Sequence, residues 1–489
     1  MKSATVAIVG GGFSGTLAAI RLLTSSQRGG PSLPFGSRIV LIEPGRAGEG
    51  LAYRAGPDYW RLNVPAERMS AFPERPDDFL AFAQSRDPLV AGGDFLPRSW
   101  YGDYLSDRLE LARRRSPRWL SFERVRARAT AIEVARASAR ISLTDGGVIE
   151  AGRVLLALGN SPAAGPMPGA AEAVDDAWNL GWMEDLPSYV PRVLLVGTGL
   201  TMIDIALAVA EQRPDARMTA LSRHGLLPQR YEDDAAGSAP SNAHGRVPRR
   251  RKFDVTALAR GPVSKRLRLF RARVQAVGGN WRPPFQQVRE AMPAIWRATP
   301  RRLRRRFLRH LRAVWNVHRH RVSRAALAQI EALRARKRLE VRAGRIVETR
   351  RIRDGIVVAW RPRGSDAIRE ELFDAVVNVT GPDADPAHSS CPLVQSLVEQ
   401  GLCEPDGLGL GWGTDPDGRL IDANGNPSPV LFYAGPLLRA RHWDATAVPE
   451  LRVHVARTTA AIARSLGSGA GSYLRRIATP IFRRAQPTF

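Results

Sequence analysis

The chain has 489 residues, 44% hydrophobic and 25% charged, the composition of an ordinary globular protein of roughly two to four domains. No apolar run approaches the ~18–20 residues of a membrane span, and Cys391 and Cys403 have neither metal-ligand spacing nor a redox CxxC pattern, so the expectation is a reduced, cytoplasmic protein with no metal centre. The net charge is +26, but of 73 basic residues only Lys2, Lys252, Lys265 and Lys337 are lysine; so strong an arginine bias reads as coding bias, and it implies attraction to anions without implying nucleic acid.

The first predicted strand is Thr5–Val9, followed by Gly10-Gly11-Gly12-Phe13-Ser14-Gly15 and a helix through Leu23. This is a GxGxxG turn in its proper context. Gly10 makes the tight turn, Gly12 lets a pyrophosphate approach the backbone, and Gly15 permits close helix–strand packing. The helix N-terminus then offers free N–H groups and the positive end of its dipole to phosphates. Lys2 and Ala4–Val9 have the look of a short signal peptide, but cleavage would delete this strand, so no export signal is read. A second strand, Ser37–Ile42, ends at Glu43, where an acid would take the ribose hydroxyls. The gap from Gly15 to Glu43 exceeds the usual ~20 residues, and a Ser/Gly/Pro-rich loop from Ser25 to Gly36 accounts for the excess.

A second unit of the same kind begins at Arg192–Val196, with Gly197-Thr198-Gly199-Leu200-Thr201-Met202 and a helix through Val209. Met202 replaces the third glycine, which predicts a slightly wider helix–strand separation. The following strand, Arg217–Leu221, leads to Arg223, a residue suited to pair with a 2′-phosphate or to stack on adenine. Two apolar strands closed by glycine, Val154–Gly159 and Ala375–Gly381, suggest a nucleotide domain interrupted by another. Between Asp234 and Arg336 a Gly/Ser/Pro/Asn stretch, Ala235–Pro248, gives way to Arg-rich helices; in the longest, Leu303, Phe307, Leu311, Val314 and His318 share one face. A solvated arginine face over a packed stripe and a nucleic-acid helix are both readings of it; no nucleic-acid motif accompanies the charge, and nucleic acid is not expected. A last strand, Val430–Tyr433 with Ala434-Gly435, precedes a C-terminal helix with Thr446 as candidate cap and Pro449 in its first turn.

Two dinucleotide sites in one chain are the layout of a flavoprotein in which the first holds FAD and the second the nicotinamide that reduces it. The fold expected is α/β: two Rossmann-like dinucleotide-binding domains, for FAD and NAD(P), the second inserted in the first, with an Arg-rich helical insertion. The boundaries are 1–165 and 373–489 for the FAD domain, 185–235 and 336–372 for the NAD(P) domain, and 236–335 for the insertion. If the C-terminal helix points at the flavin, its dipole would stabilise the anionic reduced ring by about 0.3–1 kcal/mol. The absence of a CxxC weighs against a disulfide reductase.

Gly50-Leu51-Ala52-Tyr53, Leu62-Asn63-Val64-Pro65-Ala66, Met69-Ser70, Pro97-Arg98, Tyr101-Gly102, Tyr104-Leu105, Gly197–Asp204, Ser222–Pro228, His318–Arg321 and Thr446–Arg452 resemble a bacterial group of FAD/NAD(P)-binding flavin monooxygenases nearly end to end. Its characterised members include FAD-dependent urate hydroxylases and aspartate N-monooxygenases. The resemblance implies FAD as cofactor, with NAD(P)H and O2 as co-substrates. It implies monooxygenation through a flavin C4a-hydroperoxide, shielded from water by a lid. By length the chain looks more like the urate hydroxylase, with 5-hydroxyisourate as product. An aspartate-type amino-acid N-hydroxylase is the alternative, and a redox-sensing flavoprotein holding a partner through the basic insertion is an alternative of another class.

The resemblance also supplies site residues. Arg98, Arg319, Arg321 and Arg452, inside the matched motifs, are candidate guanidinium clamps for urate or another anionic small molecule. His318, with His320 and His442, is a candidate for proton handling, the structural role remaining open for each. Asn63 is expected beside the flavin. The cofactor-binding set is Gly10, Gly12, Phe13, Ser14, Gly15, Glu43 and Asn63, then Gly197, Gly199, Leu200 and Arg223, with Gly381, Gly435 and Pro449 from the later segments. No membrane partner is expected, and the oligomeric state is left open.

Overall fold

The computed structural model describes residues 4–27, 31–161, 177–232, 257–258 and 260–467. In chain order, β1 (Thr5–Val9) runs into α1 (Phe13–Leu23) and β2 (Arg38–Ile42). Helices α2 (Asp78–Arg86) and α3 (Arg98–Arg115) cross to β3 (Ser121–Val125), and a meander of β4 (Ala129–Val134), β5 (Ala139–Leu143) and β6 (Val148–Ala151) leads to β7 (Arg153–Leu156). The second unit is β8 (Arg192–Val196), α4 (Leu200–Gln212) and β9 (Arg217–Ser222). Four helices follow: α5 (Val263–Ala276), α6 (Arg282–Ala298), α7 (Arg301–His310) and α8 (Arg312–Arg319). Then come α9 (Arg324–Ala335), β10 (Leu339–Ile352), β11 (Gly355–Pro362), β12 (Arg369–Phe373), β13 (Ala375–Asn378), α10 (Pro392–Glu399), β14 (Arg419–Ile421), β15 (Pro427–Tyr433) and α11 (Val448–Gly467).

These elements form two parallel-sheet domains, with strand orders β14-β15-β7-β1-β2-β3 and β12-β11-β10-β9-β8-β13. Each has the doubly wound arrangement, in which the order reverses beside the first strand and opens a crevice at the strands' carboxyl ends. Those crevices lie between β1 and β7 and between β8 and β13. The central strands read as continuous apolar runs because both faces are covered; Val6, Ala7 and Ile8 are fully buried, as are Leu17, Ala18 and Ala19 of α1, and the β4–β6 meander adds Ile132, Ile141 and Ile149 to the same core. The α/β expectation of two dinucleotide-type domains, the second emerging within the first, is the architecture observed.

Three boundaries differ from the expectation. Strand β13 pairs in parallel with β8 from Ala375 opposite Val193 to Asn378 opposite Val196, so the return assigned to the first domain from residue 373 belongs to the second sheet. An apolar strand closed by glycine fits the edge of either sheet, and pairing alone decides. Helix α9, read as part of the insertion, buries Ile330 and Leu333 in the core of the second domain and is its crossover into β10, which runs parallel to β9. The amphipathic helix bends at Leu311 (φ −118°), dividing α7 from α8. The turn rotates Val314 outward, and Trp315 and Val317 are buried in its place. The remaining insertion packs Phe285, Val288, Met292, Trp296 and Trp315 against Leu410 and Trp443, so it is anchored on the C-terminal part of the first domain. The predicted loop 235–248 lies outside the described residues.

Candidate functional site

At the first crevice the glycine positions are fixed by contact. Gly10 has φ +100°, and a Cβ there would stand 2.4 Å from the Ala157 carbonyl oxygen at the end of β7. A Cβ on Gly15 would stand 1.8 Å from the Gly10 oxygen, so α1 can approach the turn only because that position has no side chain. Gly12 is the N-cap of α1 and no side chain caps the helix, which leaves first-turn N–H groups for a phosphate. Phe13 and Ser14 are buried in that first turn. The Glu43 carboxylate, at the end of β2, accepts from Gly11 N at 2.6 Å and from Gly45 N at 3.0 Å, so it is oriented by the turn itself. Sequence reasoning missed a second glycine pair: Gly48 N donates to the Gly11 oxygen at 2.8 Å, and Gly50, with φ +49°, lies against Gly12. Gly50 sits in a matched motif, which was the available signal. Taken together, the turn, the uncapped helix and the fixed carboxylate fit the pyrophosphate and ribose of FAD.

The second crevice repeats the geometry. Gly197 has φ +127°, with a Cβ position 2.6 Å from the Val379 oxygen at the end of β13, while Gly199 faces open space. Leu200 starts α4 behind the Gly199 N-cap, again without a capping side chain. Met202 is fully buried in the domain core. Arg223 is exposed just past β9. Gly381, with φ +88°, follows β13 and so stands at this second crevice, whereas Gly435 follows β15 of the first sheet.

The five candidate catalytic residues do not converge on one spot. Arg98 joins the domains: its Nη2 meets Asp204 Oδ2 of α4 at 2.8 Å, and its guanidinium lies over Trp178 at 5.3 Å. Arg319 is buried, with Nη2 3.0 Å from Glu450 Oε1 and Nε 3.8 Å from Asp444 Oδ2. Arg321 lies over Tyr231 and Trp281, and Arg452 donates to the Ser70 carbonyl at 2.6 Å. His318 shares a hydrogen bond with the Val314 oxygen and sits edge-on to Trp281, 4.5 Å between centroids. Asn63 is partly buried in the turn before Pro65. Pro449 is the second residue of α11. Ala447, not Thr446, accepts the first helical bond, from Leu451 N at 2.9 Å; Thr446 precedes the cap because its own N–H turns back to Asp444. Asp204, Asp444 and Glu450 were not singled out: an acid in a helix or a turn reads as solvated until packing buries it.

Asp204→Asn tests the interdomain tie. The Asp204 carboxyl is pushed up by burial, and the Arg98 charge opposes that shift. Removing the acid leaves a partly buried guanidinium without its counter-ion, so the expected cost is about 1.5–3 kcal/mol in urea unfolding. A loss below about 0.5 kcal/mol, as for exposed pairs, would show that the tie holds nothing.

Burial sets the histidines. His442 and His454 lie with ring centroids 4.1 Å apart, and His442 Nδ1 is buried without a partner. Burial, then neighbouring positive charge, pushes His442 down to about 3 and His454 down to about 4. His320 is also held at about 3, by burial and by Arg319, Arg439 and Arg289. Between the ordinary value near 6.5 and about 4, the unfolded chain binds protons that the folded one refuses. Stability therefore falls as pH drops through that window, by up to about 1.4 kcal/mol per pH unit per histidine. Urea unfolding at pH 7.5 and 5.0 measures it, and His442→Phe should flatten the slope. An unchanged slope in that variant would remove His442 from the account.

Residues 7–161 match a family model described as FAD-NAD(P)-binding. No curated protein matches the sequence. Among solved structures, the reduced form of ornithine hydroxylase from Pseudomonas aeruginosa is 14% identical with TM-score 0.60, covering 95% of this chain and 100% of that one. L-lysine 6-monooxygenase from Pseudomonas syringae is 18% identical with TM-score 0.59 over 95% and 100%. The ornithine N-hydroxylase of Kutzneria sp. 744, with reduced FAD, NADP+ and L-ornithine, is 17% identical with TM-score 0.56 over 95% and 99%. Among the described residues no helix is long and apolar enough to cross a membrane, and no group of His, Cys, Asp or Glu is arranged to hold a metal. The chain thus shares its fold with these ornithine and lysine hydroxylase structures, and its residues 7–161 match the FAD-NAD(P)-binding model.

Proposed function

We propose that this protein is an FAD-dependent monooxygenase that consumes NAD(P)H and O2 and hydroxylates an amine nitrogen of a small, anionic, amino-acid-like substrate. The observation that carries the reading is the pair of glycine turns at the switch points of two parallel sheets in one chain, Gly10 against Ala157 and Gly197 against Val379. One such turn serves any dinucleotide; two serve a flavin and the nicotinamide that reduces it. A flavin, when bound, supplies the oxygen activation that side chains cannot. The chain's own part is to hold pyrophosphates on the uncapped starts of α1 and α4, to orient the ribose through Glu43 and to exclude water beneath the insertion. Arg98 acts here by tying the domains, and Arg319 by holding Glu450 beside the start of α11.

Urate was the first expectation from sequence resemblance. Structures of similar fold include an ornithine N-hydroxylase and an L-lysine 6-monooxygenase, which supports amine N-hydroxylation in preference. The test is direct: purify the yellow protein and follow NADPH and NADH oxidation with aspartate, ornithine, lysine, a diamine and urate in turn. Hydroxylamine formation coupled to oxygen uptake with one amine is the expected result. Coupled loss of urate absorbance would return the reading to the purine, and a colourless protein would end the flavin reading altogether.

A further inference from the structure

Between the insertion and the segments that follow β13 lies a cavity of about 650 Å³, within the size range of small-ligand sites. No residue of either glycine turn lines it. One wall is a single face of the arginine-rich helix. Arg305, Leu308 and Arg309 recur at helical spacing along α7, and Arg312 continues the row past the bend at Leu311. The rest comes from two loops, which contribute Asp385 and Asp406. Helix and loop are joined at one edge, where Arg301 Nη2 donates to the Gly407 carbonyl at 2.7 Å. Among the described residues, none of the three lining guanidiniums meets a carboxylate in an ion pair. Arg304, beside them on α7, feels Asp406 but donates to the Thr299 and Arg297 carbonyls. Arg312 is half-buried, and burial, then Arg223, pushes it down. Each acid holds its own loop with one oxygen: Asp385 Oδ1 accepts from Ala387 N at 3.1 Å, and Asp406 Oδ2 from Leu408 N at 3.0 Å. The second oxygen of each takes no hydrogen bond among the described residues. Gly409, with φ +65°, keeps one of them open, since a Cβ there would stand 2.9 Å from Asp385 Oδ2.

Cations and anions thus share one cavity without pairing, and their separation selects the occupant. A simple anion would answer the arginines and bring its charge beside two carboxylates; a simple cation would do the reverse. A molecule with a charge of each sign satisfies both walls. Its carboxylate matches the planar guanidinium forks, and its ammonium donates to the open oxygens of Asp385 and Asp406. We propose that this cavity is a third ligand site, distinct from the two glycine turns, for a small zwitterion that carries a carboxylate at one end and an ammonium at the other. Leu308 packs along the carbon chain between them. A ligand held so bridges the insertion to the loops and adds to the clamp that Arg301 makes on Gly407. The site goes beyond the monooxygenase reading and does not rest on it, because its own charges define it.

Calorimetric titration of the full chain tests the site with three probes of equal carbon count: γ-aminobutyrate, succinate and putrescine, a zwitterion, a dianion and a dication. The expected result is saturable binding of γ-aminobutyrate, about tenfold tighter than either of the others, since one charged hydrogen bond is worth about that factor. Two variants then move the selectivity in opposite senses. Arg309 is exposed, and Asn at 385 keeps the Oδ1 that caps the loop, so both variants retain the fold. Arg309→Gln should weaken γ-aminobutyrate about tenfold and narrow its margin over putrescine. Asp385→Asn should weaken it by a similar factor and narrow its margin over succinate. Arg302→Gln, exposed on α7 and outside the cavity, should change nothing. Absence of saturable γ-aminobutyrate binding, tighter binding of succinate or putrescine, the same loss for every probe in both variants, or equal weakening in Arg302→Gln overturns the site. A protein that purifies colourless sinks the flavin reading and still leaves these titrations readable, so the two failures are distinguishable.

Discussion

Gly15→Ala is expected to yield a protein that purifies without flavin. The added methyl would stand 1.8 Å from the Gly10 carbonyl oxygen and 3.3 Å from the Ala157 side chain. The first of these is backbone of the turn, so it cannot swing aside as a side chain would. Helix α1 must move outward by more than an ångström, carrying the N–H groups of Phe13 and Ser14 away from where a pyrophosphate would sit. A loss of at least about 100-fold in FAD affinity follows, equivalent to about 2.7 kcal/mol. Gly12→Ala is the informative comparison. Its Cβ would meet only the Gly50 backbone, Cα at 3.4 Å and N at 3.9 Å, ordinary contacts, so the fold should survive and the effect should fall on cofactor approach alone. Equilibrium dialysis of refolded apoprotein against FAD measures both. Retention of flavin by Gly15→Ala at the unaltered level would refute the assigned turn geometry.

Arg319→Met is expected to destabilise the protein by about 3–5 kcal/mol, the cost of breaking a buried charge cluster by removing one partner. Arg319 is pushed down by burial, and Asp444 is pushed up by it, so each tolerates its charge because the other is present. Met matches the stem in length and leaves Asp444 Oδ2, already buried without a hydrogen bond, without its ion-pair partner. Glu450 keeps Arg289 at 2.7 Å, which bounds the loss. Because the cluster joins α6 and α8 to the start of α11, the insertion should loosen before the sheets do. Urea unfolding read by tryptophan fluorescence should show an early transition from the cluster of Trp296, Trp315 and Trp443. The double variant Arg319→Met with Asp444→Asn should recover part of the loss, since it removes the orphaned charge too. A single unshifted transition would mean that the cluster contributes no more than an exposed pair.

Both results concern contacts at very different chain separations, and that difference explains how far the sequence could be read. The first turn spans residues 10–15, and its glycines are dictated by local sterics: a tight turn, a close helix and a strand of period-independent apolar residues. Such requirements are written in consecutive residues, so the GxGxxG units, the strands before them and the two-domain plan were legible. The acids and arginines were legible as types and not as partners. Arg98 finds Asp204, Arg319 finds Asp444 and Glu450, and Arg452 finds the Ser70 oxygen, pairings that no spacing encodes.

The sequence by itself determined that this protein carries two dinucleotide turns on parallel sheets, because each glycine pattern lies in consecutive residues between its strand and its helix, although Gly10 and Gly197 are closed against the distant Ala157 and Val379. Only the tertiary structure decided which sheet takes β13, that α9 completes the second domain, and that the four candidate clamps are held in ion pairs, over aromatic rings or on a backbone carbonyl. The physical reason is that a backbone turn answers to sterics within a few residues. A buried charge answers to whatever the whole fold brings within a few ångströms of it.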